Sequence, residues 1–552
     1  MLPPPSIRGI YRTDQRARAA YAEAAGIYRI LPQAICLPAD AEDLRTLICW
    51  AGDHRVPLIP RGAGSAMAGG NVGDGVILDL GSFSPRRLEV DREGRRALSS
   101  ANTTLAELNE AAAVHGLRLP PDPSSGQWAT LGGMLSTNAA GARSVRYGSV
   151  RRWVNALTLV TADAESVTWR RGERRSTTGV PEALARFELE TAPRIQAAAQ
   201  MVAARFPRTR KNSSGYALDA YLASGDLLDL VIGAEGTLGI VTEIEWRLDG
   251  RPACRAGLRL ALASLDDLTP VVAILSRLQL SAVELLDRSF LDLVGADRLA
   301  EAGLRIPAAE AVLLIELERE DDLSLRHALE ETTAATRSLA QSVDTALTPA
   351  AAERLWAIRH AASPLLAALP ESQRSLQVIE DACVPVARMG EYIRAVRRIA
   401  AERAVPVVMF GHAGDGHVHV NLLPDVTRPG WEGSIAGLMD DVTAVVIRLG
   451  GTPSGEHGDG RLRANTLDRV YGSEVVELFR LVKRSFDPHG IFNPGIILPA
   501  GDPPIARLKV GSAAVPIPDD IERSLREIER MGGYGRSRLE LAGEEGLRSR
   551  HS

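Results

Sequence analysis

Between Ile27 and about Gly250, short apolar runs rich in β-branched residues alternate with amphipathic stretches. VPLIP, GVILDL and VNALTLVTAD have the length and composition of strands, and Ala41 to His54 repeats apolar residues at helical spacing behind Asp40, a suitable N-cap. From about Arg251 to Asp425 the texture changes: strands such as AVLLIELE alternate with long Ala/Leu/Arg-rich helical stretches, and glycine-rich connections disappear. FDPHGIFNPGIILP, from Phe486 to Pro499, is turn-rich and apolar, as expected of a chain returning to pack on something already built. After Gly501 one helix is predicted, Asp519 to Met531, before a polar end expected to be loosely held. The expected organisation is a 1–26 extension, an α+β domain over 27–250 and a cap-like domain over 251–485. A return segment over 486–500 and a tail over 501–552, partly disordered or docking a partner, complete it.

Composition narrows the function classes. With 552 residues, 45% hydrophobic and 24% charged, the chain can build two or three domains with sizeable cores. A net charge of -5 and scattered arginines give no basic field for nucleic acid. Cys36, Cys49, Cys254 and Cys383 fall in no CxxC spacing, so neither an iron–sulfur cluster nor a disulfide framework is indicated, and reduced thiols in a cytoplasmic protein are expected. The amino terminus lacks the apolar core of a secretory signal, and no run is apolar enough for long enough to span a bilayer. Association with a membrane through a partner stays open.

The glycines gather in connections. In LIPRGAGSAMAGG a strand runs into a loop where Gly62, Gly64, Gly69 and Gly70 let successive N–H groups face an anion such as a pyrophosphate. The loop is not GxGxxG, so it does not match the doubly wound dinucleotide fingerprint. PPDPSSGQWATLGGMLSTNAAG adds Gly132 and Gly133 for close backbone approach, with Ser136, Thr137 and Asn138 as hydrogen-bonding side chains. IGAEGTLGIVTEI pairs Gly236 and Gly239 with a strand.

Together with KNSSGYALDAY, these runs resemble the FAD-binding half of the vanillyl-alcohol oxidase (PCMH) type flavoproteins, within them the glycolate oxidase and D-lactate dehydrogenase branch, over roughly residues 27 to 500. The resemblance implies an α+β fold, with a two-subdomain FAD-binding domain and an α+β cap that holds substrate. It implies a pyrophosphate held by Arg61 to Ser65 and by the Gly132, Gly133, Ser136 and Asn138 loop. Pro60, Ala63, Gly69, Pro121, Asp122, Thr130, Gly141, Glu235, Gly236, Gly239 and Ile240 are further cofactor contacts, with Asn493 near the flavin end. Relatives that tether FAD covalently often carry histidine in the first loop, where this chain has Ser65 and Ala66, so noncovalent FAD is expected.

Three histidines lie within eight residues in VVMFGHAGDGHVHVNLL. Val407 to His412 and His417 to Leu422 read as two strands joined by Ala413 to Gly416. If His412 pairs with His417, then His419 and Asn421 follow on the same face at period two while Val418 and Val420 point into packing. His412 and His419 are then diagonal neighbours that one metal ion can bridge. In SGEHGDGR, Glu456 can add a carboxylate oxygen and His457 a base, a ligand set suited to zinc, or to manganese or iron, as a Lewis acid.

The resemblance extends here: GHAGDGHVHVN is similar to the branch's HxGDGNxH motif, and GEHGDG to its metal and base loop. It implies His412, His419 and Glu456 as ligands, His457 as base and Asn421 as a substrate contact, with His417 a departure where many relatives have asparagine. It also points to Arg359, in LWAIRHAAS, as a fork for the substrate carboxylate, with Ser363 one turn on. Relatives acting on hydroxyglutarate carry a lysine shortly before the DxxxP-type segment; here that region reads QVIEDACVP, with Ile379 two residues before Asp381, which argues against a second distal carboxylate.

The expected activity is therefore metal-assisted oxidation of a small D-2-hydroxy acid, such as D-lactate or glycolate, to the 2-oxo acid, with hydride to flavin N5. A near-neutral His457 would take the hydroxyl proton. Quinone, cytochrome, electron-transfer flavoprotein or an iron–sulfur subunit are candidate acceptors, and a homodimer stays open. Two alternatives are carried: a non-redox flavoenzyme of the alkylglycerone-phosphate synthase kind, and the flavin subunit of an electron-transfer complex with a separate iron–sulfur partner.

Overall fold

The apolar runs of the first half resolve into two sheets. In the smaller one, Ala34–Leu37, Val76–Asp79 and Leu58–Arg61 lie parallel in that order. Helix Ala41–His54 provides the crossover a parallel pairing requires. Asp40 caps it by accepting from the amides of Glu42 and Asp43, worth about 1 kcal/mol, and Leu44, Leu47, Ile48 and Ala51 form its buried face. The second sheet is antiparallel, in the order Leu88–Asp91, Arg96–Ser100, Ile240–Arg247, Val154–Val160, Ser166–Arg170. This is a computed structural model; it describes residues 2–173, 180–295, 309–360 and 362–543.

The later part of the chain builds a seven-stranded antiparallel sheet. Its order is Ser342–Ala346, Cys254–Leu262, Ala311–Arg319, Ala282–Asp287, Val407–His412, His417–Leu422, Ala382–Cys383. Leu258, Leu260, Leu313, Ile315, Leu285 and Val418 of this sheet share a core with Tyr392, Ile393, Val396 and Ile399 of helix Met389–Glu402 and with Ile435 and Leu438 of helix Trp431–Arg448. The mixture of sheets and helices is the expected α+β class. Among the described residues no helix is long and apolar enough to cross a membrane.

Four expectations about organisation change. Within the 1–26 extension, Ile10–Arg12 is an edge strand on Ala34–Leu37, and Ala17, Ala19, Ala20 and Tyr21 are buried. Helix Ser473–Phe486, expected to close the cap, instead puts Val475, Phe479, Val482 and Phe486 into the core that holds Trp153, Tyr216 and Trp246. Its apolar residues at three- and four-residue spacing match the groove left by the first half. Thr130 to Gly141, expected as an extended glycine loop, contains a helix, Leu131–Thr137, capped by Thr130 and ended by Asn138 in the left-handed region. Of the tail after Gly501, expected to be partly disordered or to dock a partner, with a loosely held end beyond helix Asp519–Met531, residues through 541 pack on the rest of the chain. Ile517, Ile521, Leu525 and Leu539 join one core with Ile35, Leu37, Ile59 and Ile77 of the parallel sheet and with Ala17, Ala19, Ala20 and Tyr21, because helix Asp519–Met531 turns its one apolar stripe onto them.

Candidate active site

A cleft of about 2370 Å³ runs between the first half and the seven-stranded sheet. That is more than twice the upper end for drug-sized ligands and leaves room for a dinucleotide with a substrate. Its floor begins at the end of strand Leu58–Arg61. Among the described residues, the amides of Gly62, Ala63, Gly64 and Ser65 donate to no protein acceptor, so four consecutive donors remain for an anion. Gly62 is required because a Cβ there would lie 2.4 Å from Thr130 Oγ1, which seats the loop on the cap of helix Leu131–Thr137.

Of the expected cofactor residues, Pro60 to Ser65, Asp122, Thr130, Gly132, Gly133, Ser136, Gly141, Glu235, Gly236, Gly239 and Ile240 all line this cleft. Gly69, Pro121, Asn138 and Asn493 stand behind its wall. Gly69 packs on the Tyr28 ring, Pro121 is buried, and Asn138 ends the helix and accepts from the Arg151 amide. Asn493 Nδ2 donates to the carbonyls of Gly70 and Glu235. The Arg61 guanidinium is likewise committed, donating to the carbonyls of Tyr21, Glu23 and Asn71.

The hairpin has the register read from the sequence: His412 opposite His417, Phe410 opposite His419, Val408 opposite Asn421. Val418 and Val420 are fully buried in the core behind it. Gly411 and Gly416 make the tight connection possible. A Cβ at 411 would lie 2.4 Å from the His417 carbonyl oxygen, and Gly416 adopts a φ of 74° while passing close to the Val384 carbonyl.

His412 Nε2, His419 Nε2 and Glu456 Oε1 converge, with separations of 3.0 Å from His412 to Glu456, 3.3 Å between the histidines and 3.6 Å from His419 to Glu456. Zinc–ligand bonds of roughly 2.0–2.2 Å put neighbouring tetrahedral ligands roughly 3.3–3.5 Å apart and octahedral ones roughly 3 Å apart, so the three atoms can hold one divalent ion. The opposite ring nitrogens are anchored as metal-binding imidazoles require: His412 Nδ1 lies 2.5 Å from Glu284 Oε1, and His419 Nδ1 donates to the Glu380 carbonyl at 2.8 Å. Burial, reinforced by the surrounding histidines, holds His419 well below its usual value, so its lone pair is free.

The residues that hold these groups come from elsewhere in the chain. Glu284 pairs with His412 across the antiparallel strands and also accepts from Arg359 Nε at 2.9 Å. Lys211, fully enclosed, lies 2.8 Å from Glu456 Oε2 and 3.3 Å from His417 Nδ1. The other His417 nitrogen, Nε2, is 2.9 Å from Asp381. His417 thus accepts from Lys211 through Nδ1 and donates to Asp381 through Nε2, tying the two together. Asp381 in turn accepts from Ser454 Oγ and from the His457 amide, folding the Ser454–His457 loop against the hairpin.

His457 stacks on His419 with ring centres 5.3 Å apart, and its Nδ1 lies 3.2 Å from Glu380 Oε1. Burial opposes its protonation, but the Asp381 and Glu380 carboxylates raise its pKa to about 9, above the near-neutral value expected from the sequence. Arg359 lines the cleft with its guanidinium carbon 4.5 Å from the Phe410 ring centre. Ser363 lies outside the residues whose side chains are described. Asn421 Oδ1 lies 3.4 Å from both Ser375 Oγ and Gln377 Nε2, two cleft residues that the sequence did not single out. Ile379 faces the core, so Gln377 occupies the cleft position beside it.

Comparison with known proteins agrees with this geometry. Residues 32–170 match the FAD binding domain family, and residues 251–497 match the family of FAD linked oxidases, C-terminal domain. D-lactate dehydrogenase of Archaeoglobus fulgidus is 30% identical over 467 residues, covering 84% of this chain and 90% of that one. The chain belongs to the FAD-linked oxidase family. Glycolate oxidase subunit GlcD of Bacillus subtilis is 28% identical, covering 85% of this chain and 89% of its own. The solved structure of 4-ethylphenol oxidase from Gulosibacter chungangensis superposes with a TM-score of 0.63 at 15% identity, over 89% of this chain and 94% of that one. The two-part FAD-binding fold with its cap is thus the expected one, the cofactor is FAD, and this FAD-linked oxidase is an oxidoreductase.

Proposed function

We propose that the protein oxidises a small D-2-hydroxy acid, of the size of D-lactate or glycolate, to the 2-oxo acid, using noncovalent FAD and a divalent metal. The observation that carries this reading is the convergence of His412 Nε2, His419 Nε2 and Glu456 Oε1 on one point of the same cleft that presents the free amides of Gly62 to Ser65. The names of its relatives, a D-lactate dehydrogenase and a glycolate oxidase subunit, point to the same substrate class.

Bound FAD supplies the acceptor for the hydride from the α-carbon, and a divalent ion, zinc first, supplies a Lewis acid for the hydroxyl. His412, His419 and Glu456 hold that ion, with Glu284 and Lys211 fixing the direction of two of them. His457 takes the hydroxyl proton. Its Nδ1 is tied to Glu380, which leaves Nε2 for the cleft, and added positive charge beside the stacked His419 ring opposes the carboxylates that keep it protonated. Arg359, steadied by Glu284 and by the face of Phe410, receives the substrate carboxylate, and Asn421 contacts substrate beside Ser375 and Gln377. A small acid fits best because Arg374 is committed to Glu529 and no lysine stands at position 379. Neither Ser65 nor Ala66 offers an imidazole for a covalent flavin bond.

Anaerobic bleaching of the flavin across a panel of D-2-hydroxy acids, with and without a chelator, tests this. D-lactate or glycolate should bleach the flavin, and chelation should slow it. If no acid in the panel reduces the flavin the reading fails, and bleaching indifferent to metal removal overturns the metal. His457→Ala should keep FAD and lose reduction; an unchanged rate reassigns the base.

A further inference from the structure

The segment after the matched family regions forms part of the cofactor cleft. Helix Asp519–Met531 seals one face of the parallel sheet through Ile521 and Leu525, and the loop beyond it turns back toward the cleft. There, Gly532 and Gly535 pack against the Trp128 ring, with Tyr534 edge-on to that ring at 6.5 Å. Trp128 belongs to the segment that leads into helix Leu131–Thr137, so this loop lies across the wall carrying the free amides.

Arg538 ends that crossing. It is 4% exposed and lines the cleft, and among the described residues its Nε and Nη1 have no hydrogen-bond partner. Its surroundings do not neutralise it. Asp79 is bonded to the Tyr21 hydroxyl and the Gly81 amide, and Glu23 to Arg29. Tyr534 offers only its ring, 5.6 Å from the guanidinium carbon. The neighbouring cation, Arg61, is committed to three backbone carbonyls. Burial, then repulsion from Arg61, pushes Arg538 down to about 10. An enclosed guanidinium with two idle donors is costly unless an anion completes it.

We propose that Arg538 binds the diphosphate of FAD, so that the C-terminal segment is a wall of the cofactor site. Its fork would donate Nε–H and Nη1–H to phosphate oxygens, in addition to the amides of Gly62 to Ser65. This rests on the cleft holding FAD.

The test is the FAD dissociation constant of the stripped and reconstituted full chain, read by flavin fluorescence, together with its melting temperature without FAD. Arg538→Gln should weaken FAD by about tenfold to a hundredfold. The FAD-free protein should melt no lower than the parent, because the change removes an uncompensated buried charge. Arg538→Lys, which keeps the charge but loses the fork, should fall between the two. Parent-like FAD affinity in Arg538→Gln overturns the proposal, as does a loss of affinity accompanied by an equal loss of FAD-free stability in both variants. If Arg538→Gln cannot be produced folded, Arg538→Lys decides alone, with parent-like FAD affinity overturning the proposal. A parent chain that binds no FAD would instead overturn the reading of the cleft.

Discussion

Glu235→Gln should make the protein less sensitive to rising pH. Glu235 sits in the cleft wall with a φ of 51°, and its carboxylate accepts from the amides of Asp459 and Gly460 at 2.8 and 3.0 Å. Burial, then the adjacent Asp459 carboxylate, raises it to about 8, and Asp459 itself is raised to about 6. The folded protein thus keeps a proton that the unfolded chain releases above about 4.5. Stability contributed by that proton is complete below 4.5, falls as pH rises and is gone above 8. At 1.36 kcal/mol per pH unit the loss is roughly 3–5 kcal/mol. A chain of 552 residues has an unfolding entropy of roughly 1.2 kcal/mol/K at about 2.1 cal/mol/K per residue, so the loss corresponds to about 3–4 °C. Gln keeps an oxygen for the two amides and a neutral head at every pH. Melting temperatures measured from pH 5 to 8.5 at saturating FAD should coincide at the acid end and separate by about 3–4 °C in favour of the variant at the basic end. Parallel curves would refute the protonation of Glu235.

Three further outcomes follow from the groups that hold the site. Glu284→Gln should weaken divalent-metal binding by about tenfold to a hundredfold while FAD stays bound, measured by chelator competition and flavin absorbance. Lys211→Met leaves the Glu456 carboxylate buried without its cation and should cost about 3–5 kcal/mol, seen as a drop of about 3–4 °C in melting temperature at pH 7. Glu318 joins Arg118 and Tyr147 of the first half to the seven-stranded sheet, and those partners, against the opposing effect of burial, hold it at about 2. Its contribution is present above 4.5 and lost as pH falls through 2, so Glu318→Gln should lower the melting temperature by about 2–3 °C at pH 7 and converge with the parent in strong acid.

What could be read without the structure was whatever repeats over a few residues. The capped helix Ala41–His54, the helix Asp519–Met531 and the register of the 407–422 hairpin each follow from one local period and its punctuation. The convergence of His412, His419 and Glu456, proposed here to hold the metal, was legible for the same reason, since two sit on one strand pair and the third in a glycine-flanked loop. Helix Leu131–Thr137 was hidden by Gly132 and Gly133, each worth about 1 kcal/mol against a helix; burial of Leu131, Met134 and Leu135 and the Thr130 cap outweigh them. The packing of the tail was not legible, because Ile521, Leu525 and Leu539 gain their place only against Ile35, Ile59 and the Ala17 to Tyr21 segment, which lie far earlier in the chain.

The groups that aim the ligands were illegible for a different reason. Glu284 meets His412 across 128 positions and Lys211 meets Glu456 across 245, so neither contact exists until the strand order of the cap and the docking of its two halves are settled. The identity of the proposed ligands is therefore a local property of this chain and their direction a global one. Changing His412 or Glu456 removes a donor under any arrangement of the domains. Changing Glu284 affects metal binding only if the cap strands pair as described, and changing Lys211 only if the two halves meet as described, which makes those two variants the sharper test of the site.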